Sequence, residues 1–386
     1  MIEMQEKRYV AVICEYNPFH FGHLHQINRL KEEFDGVVCI MSGNLVQRGS
    51  VAVADKYLRA EAAIKSGADL VVELPFPWCC SSAKDFAKAG VHIASNLGVS
   101  HLAFGAESSL ETLCEIKDFV SQNDFSEKLK NLVETNKNLS YPQALKTLVG
   151  QRFGAEYADL CEKPNNILGL EYLSALEGEN ITPFVVKREP NFKSSSTIRS
   201  LENGKEIIGE LPQESALVFA KELGKDFPRN VNKLDSFFIA SLRRMCCDNK
   251  CEDYYSTPYD LFKKLISTAV KVNSVEELVS KCTDKVYTAA RVRRALLATV
   301  FGVTAERVQK MPTYTCVLGA DDVGRDILKD AKKQGNIDII TKPVKALEAL
   351  KETAESFAFA KSVEDVIALS APLPIPSDVG KTPFIK

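Results

Sequence analysis

The sequence has almost no net charge: 49 Lys plus Arg face 51 Asp plus Glu, leaving −2 with histidine neutral. That balance excludes a histone-like or generally polybasic protein, because overall attraction to nucleic acid needs a clear positive surplus. Any RNA contact must therefore come from a local patch. No stretch approaches 18 uninterrupted apolar residues, so no membrane partner is expected. The charged start MIEMQEKRY runs into a short apolar stretch ending at Glu15, without the apolar region and cleavage site of a secretory signal. A cytoplasmic protein is expected. Cys246, Cys247 and Cys251 form a CCDNKC cluster, but no further CxxC or HxxxH pair follows to complete a zinc site. The cysteines number eleven, an odd count, and most sit inside apolar runs, which suits buried free thiols better than a disulfide framework. No metal site is expected from these residues, and there is no internal repeat or long low-complexity tract.

What is present is an ordinary folded composition, 45% hydrophobic and 26% charged, over 386 residues, enough for two or three domains. The first two hundred residues alternate short β-branched runs with segments of helical period. Strands are expected at Val10 to Glu15, Gly36 to Met41, Asp69 to Leu74, Ser100 to Gly105 and Ile181 to Lys187. Helices are expected near His23 to Phe34, Ala54 to Ser66, Ser82 to Leu97 and Ser108 to Gln122. This pattern predicts an α/β fold, a doubly wound parallel sheet with its ligand site at the carboxyl ends of the strands. The Gly- and Pro-containing segment LENGKEIIGELPQES reads as a boundary, giving a catalytic domain over 1–205 and a mainly α-helical domain over 206–386. Helical stretches there run over Lys233 to Cys246, Ser256 to Thr268, Ser274 to Cys282, Thr288 to Phe301, Gly324 to Gln334, Lys342 to Phe359 and Ser362 to Leu369.

The chemistry concentrates in VICEYNPFHFGHLHQI, Val12 to Ile27, where His20, Gly22 and His23 leave the first strand and a helix begins at once. A helix N-terminus offers unpaired N–H groups and a positive dipole end, so phosphate is favoured there. Gly22 lets backbone approach a ligand, and two imidazoles can donate hydrogen bonds as charge builds on an α-phosphorus. A second string, SSSTIRS, places Ser195, Ser196 and Thr197 at a helix start, where hydroxyls and N–H groups can bond phosphate, with the Arg199 cation close behind. Glu15 closes the first strand, where it either holds a magnesium ion or orients His20. Asp55, Lys56 and Arg59 read as a surface charge network outside the site.

HxGH after a strand, followed late in the domain by SSSTIR, resembles the HxGH nucleotidyltransferase superfamily. Further strings narrow this: EYNPFHFGH, MSGNLVQRG, DKYLRAEAAIKSGADLVVELPF, LAFGAES and NNILGLEYL are similar to the tRNA(Met) cytidine acetate ligase family, with looser matches at YTAARVRRALL and from TYTCVLG to GRDIL. Phe21 stands where family members commonly have Asn. The resemblance implies a two-step ligase using ATP with Mg2+. Acetate attacks the α-phosphorus to give acetyl-adenylate and pyrophosphate, and N4 of the wobble cytidine of elongator tRNA(Met) then takes the acetyl group and releases AMP. It implies that His20, His23 and Arg199 are catalytic. It also implies ATP contacts from Ile13, Cys14, Glu15, Tyr16, Asn17, Pro18, Phe19, Phe21, Gly22, Leu24, His25, Gln26, Gly105, Asn165 or Asn166, and Arg188, alongside Ser195, Ser196 and Thr197.

For the RNA, Arg291, Arg293 and Arg294 cluster on one expected helix with Tyr287 a turn earlier, and Arg243 and Arg244 lie on another. Such groups grip phosphates, and an aromatic stacks on a splayed base. Gln47 and Arg48, after the second strand, suit a carboxylate or an RNA phosphate. No protein partner is implied. The competing readings are a small-molecule adenylyltransferase with a phosphate acceptor and an idle nucleotide- or tRNA-binding module.

Overall fold

Five apolar runs pair side by side, buried through the middle of the sheet as a parallel arrangement requires and half-buried at the edge strand Thr182–Lys187. In the computed structural model, which describes residues 7–136, 139, 141–189, 191–245, 253–343, 346, 353–373 and 381–386, the strands are β1 (Tyr9–Cys14), β2 (Gly36–Ser42), β3 (Leu45–Val46), β4 (Ser50–Val51), β5 (Leu70–Leu74), β6 (His101–Ala106), β7 (Thr182–Lys187), β8 (Tyr314–Ala320), β9 (Asp338–Ile340) and β10 (Phe384–Ile385). The sheet order is β10-β8-β5-β2-β1-β6-β7, with β9 on β8, and β3-β4 form a separate small hairpin. From β5 to β7 every pairing is parallel. Chain order reverses at β1, which has β2 on one side and β6 on the other, so a crevice opens beyond the ends of β1 and β6.

The helices of the first half are α1 (Phe21–Lys31), α2 (Lys56–Lys65), α3 (Ala83–Asn96), α4 (Leu110–Val120), α5 (Phe125–Thr135), α6 (Tyr141–Phe153), α7 (Ala155–Leu160), α8 (Pro164–Ala175) and α9 (Ser195–Arg199). After them come α10 (Gly204–Gly209), α11 (Gln213–Lys221), α12 (Asp235–Met245), α13 (Tyr259–Ala269), α14 (Val275–Cys282), α15 (Ala289–Phe301), α16 (Ala305–Gln309), α17 (Asp322–Gln334) and a last helix, Ala354–Ala368. Among the described residues no helix is long and apolar enough to cross a membrane.

The second half is not free of strands. Tyr314–Ala320 is entirely buried and runs antiparallel to β5, so residues 109 positions beyond the expected boundary at 205 complete the catalytic sheet. Apolar packing is likewise continuous across that boundary: Phe86 and Leu102 share one core with Phe238, Leu265 and Leu296. Trp78 ties the halves together by donating its indole N–H to the carbonyls of Val308 and Lys310. The end of the chain returns to the sheet, where Phe384 and Ile385 pair with Gly319 and Ala320. Much of the stretch expected as a helix from Lys342, and the Cys246–Cys251 cluster, lie outside the described residues. Of the eight described cysteines, seven are buried and none is paired.

Candidate active site

The turn leaving β1 is bolted down before any ligand arrives. Tyr16 adopts a left-handed backbone (φ 43°), its ring buried between Phe19 and His23 and its hydroxyl 3.3 Å from Cys39 Sγ. Asn17 Oδ1 accepts the Val53 N–H at 2.7 Å, and the Arg199 guanidinium donates to the Asn17 carbonyl. His20 then caps α1, its Nδ1 accepting the Gly22 N–H at 3.0 Å, while His23 Nδ1 accepts the His20 N–H at 3.3 Å. The two rings stack, with centroids 3.7 Å apart and planes 24° from parallel. A Cβ on Gly22 would sit 3.0 Å from His20 Cε1, so any side chain there would press on that ring.

These contacts fix the protonation of both histidines. With each Nδ1 accepting a backbone N–H, the hydrogen bonds assign the ring proton to Nε2, leaving that N–H as a free donor. Burial, with the charges of Arg188 and Arg199, lowers the His20 pKa to about 4. Burial, His20 and Arg188 lower that of His23 well below its ordinary value. At neutral pH the site therefore presents two uncharged N–H donors and a flanking pair of guanidiniums.

Of the segment Ile13 to Gln26, not every side chain faces the crevice. Ile13, Cys14, Tyr16, Asn17, Pro18 and Phe19 are buried, so their side chains face the core rather than the crevice. Ile13 packs against Gly90 of α3, while Cys14 and Tyr16 belong to the core beneath the turn. Phe21 is exposed, and Gly22, Leu24, His25 and Gln26 are half-buried along the first turns of α1.

The other expected residues converge from neighbouring strands. Arg188 follows β7 and lays its stem beside Gly105 of β6, with Arg188 Cγ 3.4 Å from where a Gly105 Cβ would be. Ser194 caps α9, accepting the Thr197 N–H and bonding the hydroxyls of Ser196 and Thr197, which leaves Ser195 half-buried and Ser196 and Thr197 exposed. Arg199 is held between like and unlike charge: burial lowers its pKa, Glu15 raises it and Arg48 lowers it. The two asparagines separate. Asn166 is buried, with Oδ1 accepting the Glu107 N–H and Nδ2 donating to Ser108 Oγ and the Leu160 carbonyl, so it shapes the loop after β6 from beneath. Asn165 is at the surface, bonded to Glu107 Oε1 at 2.6 Å.

Two expectations are corrected. Asp55, Lys56 and Arg59 are not a surface network; all three are buried. Arg59 donates to the carbonyls of Glu15, Ala54, Ser42 and Gly43, clamping the ends of β1 and β2. Burial pulls its pKa down only to about 10, so it stays charged. Asp55 caps α2 and pairs with Arg229 and Lys381, each at 2.9 Å. Lys56 bridges Glu73 at 2.9 Å and Glu364 at 2.6 Å. These pairs involve residues more than 300 positions away, Glu364 and Lys381, which no local pattern records.

Nor do Arg291, Arg293 and Arg294 make an open basic face. Arg294 donates to the Gln47 carbonyl at 3.2 Å, Arg293 packs on Gly49, and Arg291 lies half-buried over the Tyr287 ring at 5.1 Å. Tyr287 is itself buried and gives its hydroxyl to Asp260, so it is not a free stacking platform. Arg243 caps α13 by donating to the carbonyls of Ala269 and Val272. Residues that sequence reasoning undervalued are Gln47 and Arg59, whose only signal was their place in the QRG and DKYLRAE strings. For a metal, no three His, Cys, Asp or Glu side chains gather as ligands among the described residues. Glu15 is already engaged, accepting the Gln47 N–H at 2.9 Å. These residues do not form a protein cage for magnesium.

A profile of the HIGH Nucleotidyl Transferase family matches residues 7–373. The tRNA(Met) cytidine acetate ligase of Clostridium novyi (strain NT) is 34% identical over 363 residues, covering 87% of this chain and 90% of the relative. The protein of the same name from Thermoanaerobacter sp. (strain X514) is 31% identical over 374 residues, covering 89% and 91%. Among solved structures, Thermotoga maritima TmcAL bound with alpha-thio ATP superposes with a TM-score of 0.89 at 28% identity, over 98% of this chain and 99% of that one. With an HxGH turn at the switch point, an SSSTIR helix beside it and these relatives along nearly its whole length, the chain belongs to the HIGH nucleotidyltransferases and, within them, to the tRNA(Met) cytidine acetate ligase family.

Proposed function

We propose that the chain joins acetate to ATP as acetyl-adenylate and passes the acetyl group to N4 of the wobble cytidine of elongator tRNA(Met). The observation that carries this reading is the stacked, neutral His20–His23 pair at the N-terminus of α1, faced by Arg188 and Arg199. An acetate oxygen attacks the α-phosphorus, the bond to the bridging oxygen breaks, and its electron pair leaves with pyrophosphate. No proton moves in that step, so a covalent nucleophile or a base is not required. What the step does require is donors aimed at phosphoryl oxygens as their charge grows. The Nε2–H groups of His20 and His23 and the α1 backbone N–H groups supply them. Arg199 and the hydroxyls at the start of α9 receive the leaving group, and the adenosine lies over Gly105 between Arg188 and Asn165. Magnesium would accompany ATP as the counter-ion of the triphosphate, held by the phosphates themselves.

In the second step the cytidine amine attacks the acetyl carbonyl and AMP departs. The 206–386 half presents the RNA to this mouth, with Arg291 and Arg293, half-buried on α15, as its remaining basic contacts near the site. The test is mass spectrometry of tRNA(Met) after incubation with ATP and isotopically labelled acetate. A labelled acetyl group at the wobble cytidine supports the reading. Adenylyl transfer to a small phosphate acceptor, with unmodified tRNA, would replace it with a small-molecule adenylyltransferase.

A further inference from the structure

The β3–β4 hairpin carries a charged tip, Gln47–Arg48–Gly49, that is immobilised everywhere except at the Arg48 side chain. The Gln47 N–H is held by Glu15 Oε1 at 2.9 Å, and its side-chain amide donates to the Ser81 carbonyl at 3.1 Å. Its carbonyl accepts from Arg294 Nη1 at 3.2 Å. Gly49 closes the turn with its N–H on the Val46 carbonyl and a φ of +75°. Its missing Cβ would stand 2.7 Å from Arg293 Cβ and 2.9 Å from the Arg294 backbone nitrogen, so α15 rests directly on the tip. Arg48 itself is exposed, and among the described residues no acceptor holds its guanidinium. An exposed arginine on a loose loop is ordinarily just solvated; this one stands on a backbone fixed from three sides.

Its surroundings say what it faces. Arg48 lies close enough to Arg199 to repel it, and Arg199 and Arg188 both bear on His20. Glu15 holds the Gln47 N–H of the tip and Arg199 donates to the Asn17 carbonyl, so Arg48 and Arg199 flank one turn, the one that carries His20 and His23. Positive charge so gathered favours an anion, and a diphosphate carries several negative charges where acetate carries one. We propose that Arg48 binds the pyrophosphate as it leaves the α-phosphorus, together with Arg199, and that Arg294 is the residue that positions it. This rests on the adenylate-forming reading above and adds two residues to it. As the bond from the α-phosphorus to the bridging oxygen breaks, the electron pair collects on the pyrophosphate, where the two guanidiniums neutralise it.

The test begins with binding of inorganic pyrophosphate, which depends on neither acetate nor tRNA. Arg48→Ala weakens pyrophosphate binding by about tenfold or more, the value of a charge-assisted hydrogen bond, and leaves AMP binding unchanged. Arg48→Lys recovers part of the loss. When synthetic acetyl-adenylate is supplied, Arg48→Ala acetylates tRNA at the wild-type rate, because pyrophosphate has no part in that step. Unchanged pyrophosphate affinity overturns the assignment, and so does an equal loss with supplied acetyl-adenylate, which would place Arg48 on the RNA. Arg294→Ala weakens pyrophosphate in the same direction, and the double variant is no weaker than Arg48→Ala alone. Added losses in the double variant would reduce Arg294 to a structural role. Gly49→Ala, which displaces the tip and keeps both charges, serves as the second variant and shows the same pyrophosphate defect. A wild-type protein that binds pyrophosphate through Arg48 yet shows no acetate-dependent exchange would refute the proposed function without touching this assignment.

Discussion

His20 and His23 lie with their ring centroids 3.7 Å apart, each accepting a backbone N–H on Nδ1, so both rings carry their proton on Nε2. The pair acts as one unit of uncharged donors rather than as an acid and a base. Removing either ring by His20→Ala or His23→Ala should therefore slow acetate-dependent ATP–pyrophosphate exchange by about a hundredfold or more, as loss of a transition-state donor does. His23→Gln, which keeps an N–H donor, should retain more activity than His23→Ala. Near-normal exchange in the alanine variants would remove the histidines from the mechanism.

The same geometry sets a pH dependence. Because His20 stays neutral down to about pH 4, and His23 is shifted in the same direction, exchange should show no ionisation near 6.5. Folding stability behaves differently. In the unfolded chain an imidazole binds its proton below about 6.5, while His20 in the fold does not until about 4, so the unfolded state holds more protons in between. Stability contributed by neutral His20 is complete above pH 6.5 and declines as pH falls, by about 2 kcal/mol between pH 7 and 5. Denaturant titration of wild type and His20→Asn at both pH values checks this; an identical acid loss in the variant would assign it elsewhere.

Glu364, buried beside Lys56 and Glu73, carries the opposite sign. Burial raises the Glu364 pKa to about 8, Lys56 opposing and Glu73 adding to the rise, so the fold keeps a proton that the unfolded chain has lost above about 4.5. Stability from this group is complete below pH 4.5 and falls as pH climbs to 8. Glu364→Gln should fold normally and lose less stability than wild type between pH 6 and 8.5. Lys56→Met, which leaves the buried Glu73 and Glu364 side chains without their ammonium partner, should cost about 3 kcal/mol or more. Equal alkaline slopes in wild type and Glu364→Gln would contradict the assignment.

Asn165 and Asn166 should part company. Asn166→Leu orphans the Glu107 N–H and should destabilise the protein by about 1–3 kcal/mol. Asn165→Ala, at the surface, should leave the melting temperature unchanged and raise KM for ATP severalfold. The reverse pattern in calorimetry and kinetics would reassign them.

Much of this was legible in the sequence because it is local. The five parallel strands announce themselves as β-branched runs, and HxGH and SSSTIR, singled out together by their family resemblance, do meet in the fold, where Arg199 donates to the Asn17 carbonyl. What escaped was set by distant partners. Tyr314–Ala320 mixes small, polar and apolar residues without alternation, and its pairing with β5, β9 and β10 is what makes it a strand. Lys56 looks like any charged first turn until Glu73 and Glu364 close over it. Arg294 has the pattern of a basic helix face, yet α15 turns it inward onto Gln47. Asn166 and Asn165 are identical in type, and only burial distinguishes them.

The central claim is that an acetate oxygen attacks the α-phosphorus, and isotope transfer tests it directly. With acetate carrying 18O in both oxygens, ATP and tRNA(Met), the bridging oxygen of the acetyl-adenylate comes from acetate and stays with phosphorus when the cytidine amine takes the acetyl group. Mass spectrometry should find one 18O in each AMP released and one in each acetyl group on the tRNA. AMP without label, alongside acetylated tRNA, would show that acetate was activated some other way.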